Sequence, residues 1–180
     1  MKPRKLIFSV LPLVLAGMLS GCSNNKSPDV TDNIRKSLEQ AGFKDISVSE
    51  DRDKGVVTLS GTVPTDTDKQ QAESIAKSTA PNIVIADQIS VQPPGNESEA
   101  KAVDSDLDKA IEKNLDATLV KHRLKKEIKY DVKNGVVTLK GKVPSQTKRE
   151  QVEKLAASIP NVRQVVNELE VKGQKATSTS

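Results

Sequence analysis

Apolar residues recur along this chain at two alternating periods. Val30, Ile34, Leu38 and Ala41 lie three or four apart, which predicts a helix with Asp29 or Thr31 as N-cap and Gly42 as C-terminal cap. Ile46-Ser47-Val48 alternates as a strand does, and a charged turn from Glu50 to Lys54 leads into a second strand. In that strand Val57, Leu59 and Val63 face one way and Thr58, Ser60 and Thr62 the other, until Pro64 ends it. A helix follows over 65–79, with Ala72, Ile75 and Ala76 on its weakly apolar face, and Pro81-Asn82 stops it. Ile85, Ile89 and Val91 mark a third strand over 83–91.

The same order then runs again. Val103, Leu107, Ile111 and Leu115 line a helix; Ile128, Tyr130 and Val132 alternate; Asn134-Gly135 reads as a hairpin turn, since both residues tolerate positive φ. Val137, Leu139 and Val143 repeat the inward set, Val152, Leu155, Ala156 and Ile159 form a cleaner helix, and Val165, Leu169 and Val171 the last strand. The prediction is an α+β chain of two tandem units, each helix-strand-strand-helix-strand. A hairpin and a right-handed strand–helix–strand crossover give a three-stranded mixed sheet covered on one face by two helices.

The repeat is visible residue by residue. Gly55-Val56-Val57-Thr58-Leu59-Ser60-Gly61-Thr62-Val63-Pro64 returns 80 positions later as Gly135-Val136-Val137-Thr138-Leu139-Lys140-Gly141-Lys142-Val143-Pro144. Only Ser60/Lys140 and Thr62/Lys142 differ. Gly55 and Gly135 suit hairpin turns. Gly61 and Gly141 lie on the inward parity, where a missing side chain admits a helix or a bulge.

The unit boundaries follow. Residues 1–21 read as a signal peptide: Lys2, Arg4 and Lys5 precede an apolar run over 6–19 that is too short to span a bilayer comfortably. The run ends in Leu19-Ser20-Gly21-Cys22, which resembles a bacterial lipobox, and Cys22 is the lone cysteine. The resemblance implies lipidation of Cys22, with acyl chains such as palmitate on the mature N-terminus. More than one chain is needed for stable anchoring, because each buried CH₂ contributes only about 0.8 kcal/mol. It also implies the outer membrane, with the domains facing the periplasm, since Ser23 rather than Asp follows the cysteine. Residues 22–27 form a tether of roughly 14 Å. The first domain takes 28–93, a polar linker 94–102, the second domain 103–173, and a disordered tail 174–180.

Composition narrows function by exclusion. Aromatics are limited to Phe8, Phe43 and Tyr130, so no base-stacking platform exists. The net charge of +4 is largely the leader's; without it 25 basic residues face 24 acidic ones. Nucleic acid is therefore not an expected partner. No phosphate-cradling glycine pattern occurs, His122 is the single histidine and stands among cations, and Asp51 and Asp53 sit in an exposed turn. No enzyme activity, cofactor or metal is expected.

The repeated motif, the helix carrying Ala76 or Ala156, and the endings Ala86-Asp87-Gln88-Ile89 and Val165-Val166-Asn167-Glu168-Leu169 resemble the BON domain family. With the lipobox, the chain is similar to dual-BON outer-membrane lipoproteins. That resemblance implies no enzymatic activity, phospholipid binding, and a role in envelope integrity or osmotic-stress tolerance. A periplasmic protein-interaction or chaperone-like role on envelope clients is the alternative, in which an acidic first and a basic second domain dock on each other or on clients. In those lipoproteins the second domain touches anionic lipid through its first helix, with aromatic residues at the interface. Here that helix has no aromatic and an acidic first turn, Asp104, Asp106 and Asp108, so the family's contact residues do not transfer by position.

Charge points to the second copy all the same. Residues 28–93 hold 7 basic and 11 acidic groups, residues 103–173 hold 15 and 11. The excess gathers at Lys121, Arg123, Lys125, Lys126 and Lys129, and Lys140 and Lys142 extend it from the outer parity of the motif strand. Leu119, Val120 and Leu124 interleave with these cations as candidate apolar insertions. Such residues suit an anionic phospholipid surface, each cation contributing on the order of 1 kcal/mol.

Overall fold

The computed structural model describes residues 30–173; the leader, Cys22, the tether and the tail 174–180 lie outside the described residues. The first unit comprises α1 (Thr31–Gln40), β1 (Ser47–Asp51), β2 (Val56–Val63), α2 (Asp66–Thr79) and β3 (Val84–Val91). The second comprises α3 (Glu97–Lys121), β4 (Ile128–Lys133), β5 (Val136–Val143), α4 (Gln146–Ala157) and β6 (Gln164–Val171). The repeated motif is the central strand of each sheet. β2 pairs antiparallel with β1 and parallel with β3, and β5 stands the same way between β4 and β6. This is the predicted α+β pair of mixed three-stranded sheets.

Each inward set makes a core of its own. Ile34, Leu38, Val57, Leu59, Ala72, Ala76, Ile85 and Ile89 fill the first, and Ile111, Leu115, Leu119, Val137, Leu139, Val152, Ala156 and Leu169 the second. Thr65 and Ser145 cap α2 and α4, their hydroxyls accepting from the backbone N–H of Asp68 at 3.1 Å and Lys148 at 3.2 Å. At α1 the cap position is instead Val30, with no side-chain cap bond. Thr31, in the first turn, donates to Glu50 at 3.4 Å.

The stretch expected as a polar linker is itself partly helical, since α3 begins at Glu97. Glu97 and Glu99 lie in its first turn, where acidic side chains complement the helix dipole, and the Glu97 carboxylate accepts the Gly95 N–H at 2.9 Å. Two expectations are corrected. Val103 and Leu107 do not line the second core; they are 58% and 40% exposed. The N-terminal half of α3 leans on the first unit, where Ser90 donates to Asp104. Finally, no helix packs over Gly61 and Gly141. A Cβ there would stand 2.3 Å from the carbonyl oxygen of Asp45 or Glu127, in the segment entering β1 or β4. Their φ values of +129° and +134° add a second demand for glycine.

The spacing of 80 holds from the motif onward and shifts before it. The β1–β2 hairpin has four residues between Asp51 and Val56, the β4–β5 hairpin only Asn134-Gly135 between Lys133 and Val136. Before β4, one residue is gained between α3 and the strand: the stretch from Arg123 to Ile128 replaces that from Gly42 to Ile46. Gly42 and Arg123 are thereby equivalent, and both have positive φ, +94° and +58°.

The outer faces of the sheets meet. Val56 and Ala86 of the first unit pack on Val136 and Val166 of the second, with Val84 against them. The four buried residues are the same two positions in each copy, so the seam is self-complementary, as across a two-fold axis. Polar contacts across the seam do not repeat as strictly: Lys54 pairs with Glu170 at 2.7 Å, whereas Asn134, 80 positions after Lys54, donates to the Gln88 carbonyl at 2.7 Å and not to Ser90, the counterpart of Glu170.

Candidate functional site

The basic cluster is built where α3 ends. His122 is the C-cap, and Arg123 takes the left-handed conformation that terminates the helix. A non-glycine residue pays about 1–2 kcal/mol for that conformation, and Gly42 meets the same demand in the first copy without the penalty. The following turn is anchored by Leu124 and Ile128, both buried, which turns Lys125, Lys126 and Lys129 outward. Leu119 also lies in the core. Of the three apolar residues expected between the cations, Val120 alone is exposed, at 61%.

The cations fall into two groups. Among the described residues Lys121, Arg123, Lys126 and Lys129 have no side-chain partner. Lys125 is held: it donates to Asp116, which also accepts from the Tyr130 hydroxyl, and its ammonium lies 4.8 Å from the Tyr130 ring centroid. The Lys125 hydrogen bond pulls the Asp116 carboxyl below its ordinary range, and Asp116 in turn raises Lys125.

Lys140 and Lys142 project from the outer face of β5 opposite two acids of β6. Lys140 stands 3.9 Å from Glu168 and Lys142 3.4 Å from Glu170, the neighbours that parallel register assigns them. They are therefore partly neutralised. Lys129 is the partner of Lys140 on the β4 side, so Lys129, Lys140 and Glu168 form one row across the sheet. Burial pushes the Glu168 carboxyl upward, while Lys54 and Lys142 hold Glu170 down.

A second group of polar residues joins each second helix to the outer strand of its sheet. Lys69, on α2, is buried; it donates to the Ile89 carbonyl and lies 3.5 Å from Asp87. Burial lowers the lysine and raises the carboxylate, each departing from its ordinary value toward the neutral form. In the second copy Arg149 and Asn167 occupy these positions. The guanidinium donates to the carbonyls of Leu169 at 3.1 Å and Asn167 at 2.7 Å, and the Asn167 amide donates to Glu153 at 2.7 Å. These contacts fasten each second helix to the outer strand of its sheet. The signal was present in the pattern: a polar residue stands on the inward parity of both last strands, between Ile85 and Ile89 and between Val165 and Leu169.

The third group lines the cleft between the units. Asp108 accepts the N–H groups of Asn134 and Gly135, both at 2.8 Å, which ties α3 to the hairpin. Gln164 reaches the first sheet, accepting from the Asp87 N–H at 3.1 Å and donating to the Ile85 carbonyl at 2.7 Å. A cavity of about 760 Å³ runs between the end of β3 and α3, walled by Gln88, Ser90, Asp104, Asp108, Glu112 and Lys133. No group of three or more His, Cys, Asp or Glu among the described residues is placed to hold a metal ion. No helix among them is long and apolar enough to cross a membrane.

Two copies of one α+β unit, each with the glycine-marked strand at its centre, define the class, and the chain belongs to the BON domain family, which matches residues 26–93 and 104–173. Among curated proteins it is similar to the osmotically-inducible protein Y of Escherichia coli (strain K12), with 27% identity over 146 residues, 79% of this chain and 71% of that protein. Among solved structures it matches the C-terminal domain of CdsD, described as the structural protein of the type III secretion system of Chlamydia trachomatis. There the identity is 15%, the TM-score 0.34, and the coverage 81% of this chain and 98% of that one. A second CdsD structure gives 18% identity, a TM-score of 0.31, and coverage of 79% and 61%.

Proposed function

We propose that this chain is a non-enzymatic envelope protein that supports outer-membrane integrity or osmotic-stress tolerance. In this reading Cys22 carries the lipid anchor and the second BON domain rests on anionic phospholipid. The observation that carries the lipid contact is the end of α3. Lys121, Arg123, Lys126 and Lys129 are exposed and without side-chain partners among the described residues, and Val120, next to Lys121 in the chain, is exposed as well. Unpaired cations meet lipid phosphates without first giving up a protein carboxylate. Lys125, Lys140 and Lys142 have acidic neighbours and contribute less. The likeness to an osmotically-inducible protein supports the stress role.

The test is flotation of residues 23–180, which carry neither the leader nor Cys22, on neutral and anionic vesicles at low and high salt. Binding is expected on anionic vesicles at low salt only. Lys121→Glu/Arg123→Glu/Lys126→Glu is expected to abolish it. Equal recovery on both vesicle types, or an unchanged triple variant, refutes the lipid contact.

A further inference from the structure

β3 is the outer strand of its sheet, so one of its edges faces no strand of the same sheet. Unpaired strand edges are sites where another chain adds by backbone hydrogen bonding. This edge is nonetheless filled. The Gln164 carboxamide donates to the Ile85 carbonyl at 2.7 Å and accepts from the Asp87 N–H at 3.1 Å. Ile85 and Asp87 flank Ala86. One residue of a fourth, parallel strand opposite Ala86 would supply the same donor and acceptor. Further along the edge, the Ile89 N–H donates to the Asp87 carboxylate at 3.1 Å, and the Ile89 carbonyl accepts from Lys69. The first unit thus closes the later half of the edge with its own side chains. The second unit closes the earlier half.

We propose that the β3 edge between Ile85 and Asp87 is an acceptor site for an extended polypeptide segment, shut by Gln164 and opened when the two units part. The occupant follows from what the edge presents, a backbone acceptor and donor two residues apart. A peptide backbone matches both, as the carboxamide does. The seat is short, because Lys69 and Asp87 close the edge from Ile89 onward. Opening parts a seam of five aliphatic residues, Val56, Val84, Ala86, Val136 and Val166, together with the Lys54–Glu170 and Asn134–Gln88 contacts. The shutter is specific to one copy, since the counterpart of Gln164 is Val84, which has no side-chain donor or acceptor. This site is distinct from the cations at the end of α3.

The experiment measures binding of a short fluorescent peptide of alternating Val and Thr to the full chain and to its Gln164→Ala variant. The control is the same peptide N-methylated at every second residue. The variant is expected to bind the plain peptide at least about tenfold more tightly than the unaltered chain and to ignore the methylated one. Equal affinities for the two proteins, or equal binding of the two peptides, overturns the proposal. Amide hydrogen exchange on the unaltered chain tests it without a variant. The Asp87 amide is expected to exchange at least about 100-fold faster than the Leu59 amide of β2, through parting of the units rather than unfolding. Matching rates overturn it.

Discussion

Gly141 is where one atom decides the most. Its φ of +134° lies outside the range of ordinary side chains, and a Cβ would meet the Glu127 carbonyl at 2.3 Å. Backbone on both sides leaves no flexible group to yield. Gly141→Ala is therefore expected to cost about 2 kcal/mol or more, read as a lower urea midpoint. Gly55→Ala is expected to cost only about 1 kcal/mol: its φ of +68° is also left-handed, but nothing lies within 4 Å of the added carbon. The two glycines look alike in the repeated motif and serve different constraints. Arg123 shows the converse. It keeps a conformation that Gly42 adopts freely, and an arginine there adds an unpaired cation at the tip of the cluster.

Among the elements, α3 departs furthest from its pattern. Val103, Leu107, Ile111 and Leu115 share one helical stripe, yet burial begins only at Ile111. The stripe outruns the sheet beneath it. Ile111→Ala is expected to cost about 2–5 kcal/mol in chemical denaturation, whereas Val103→Ser and Leu107→Ser are expected to stay within about 0.5 kcal/mol. Equal losses at Leu107 and Ile111 would mean that the helix lies deeper in solution. β6 carries a related lesson. Its outward acids, Glu168 and Glu170, partly neutralise the lysines that distinguish β5 from β2, so the charge difference in the motif is smaller in space than along the chain.

For the whole molecule, the relation between the units matters more than either core. Val56, Ala86, Val136 and Val166 face outward from their own sheets and are buried in one cluster that joins the two units, with Val84 against it. Val136→Asp with Val166→Asp places two carboxylates in that seam, where burial without partners is unfavourable. The units are expected to separate, with a larger radius of gyration in small-angle scattering and an unchanged far-UV spectrum. An unchanged radius would show that the polar contacts at Gln164, Asn134 and Lys54 suffice to hold the pair.

The sequence by itself determined each unit. Alternation at period two and at 3.6 is a local record of which side chains avoid water, so the element order, the two cores and the central place of the repeated strand were all legible. The inward polar positions at Asp87 and Asn167 were legible as well, as shared exceptions to that alternation. Tertiary structure alone decided the rest. Whether an apolar stripe is covered depends on how far the sheet beneath it extends, which left Val103 and Leu107 exposed. Which cations keep their charge free depends on register with another strand, which separated Lys121, Arg123, Lys126 and Lys129 from Lys140 and Lys142. The role of Gln164 depends on a strand edge some 80 positions away in sequence. Periodicity carries no information at that distance, because it reports the face a residue turns to its own sheet and not what arrives on the other side.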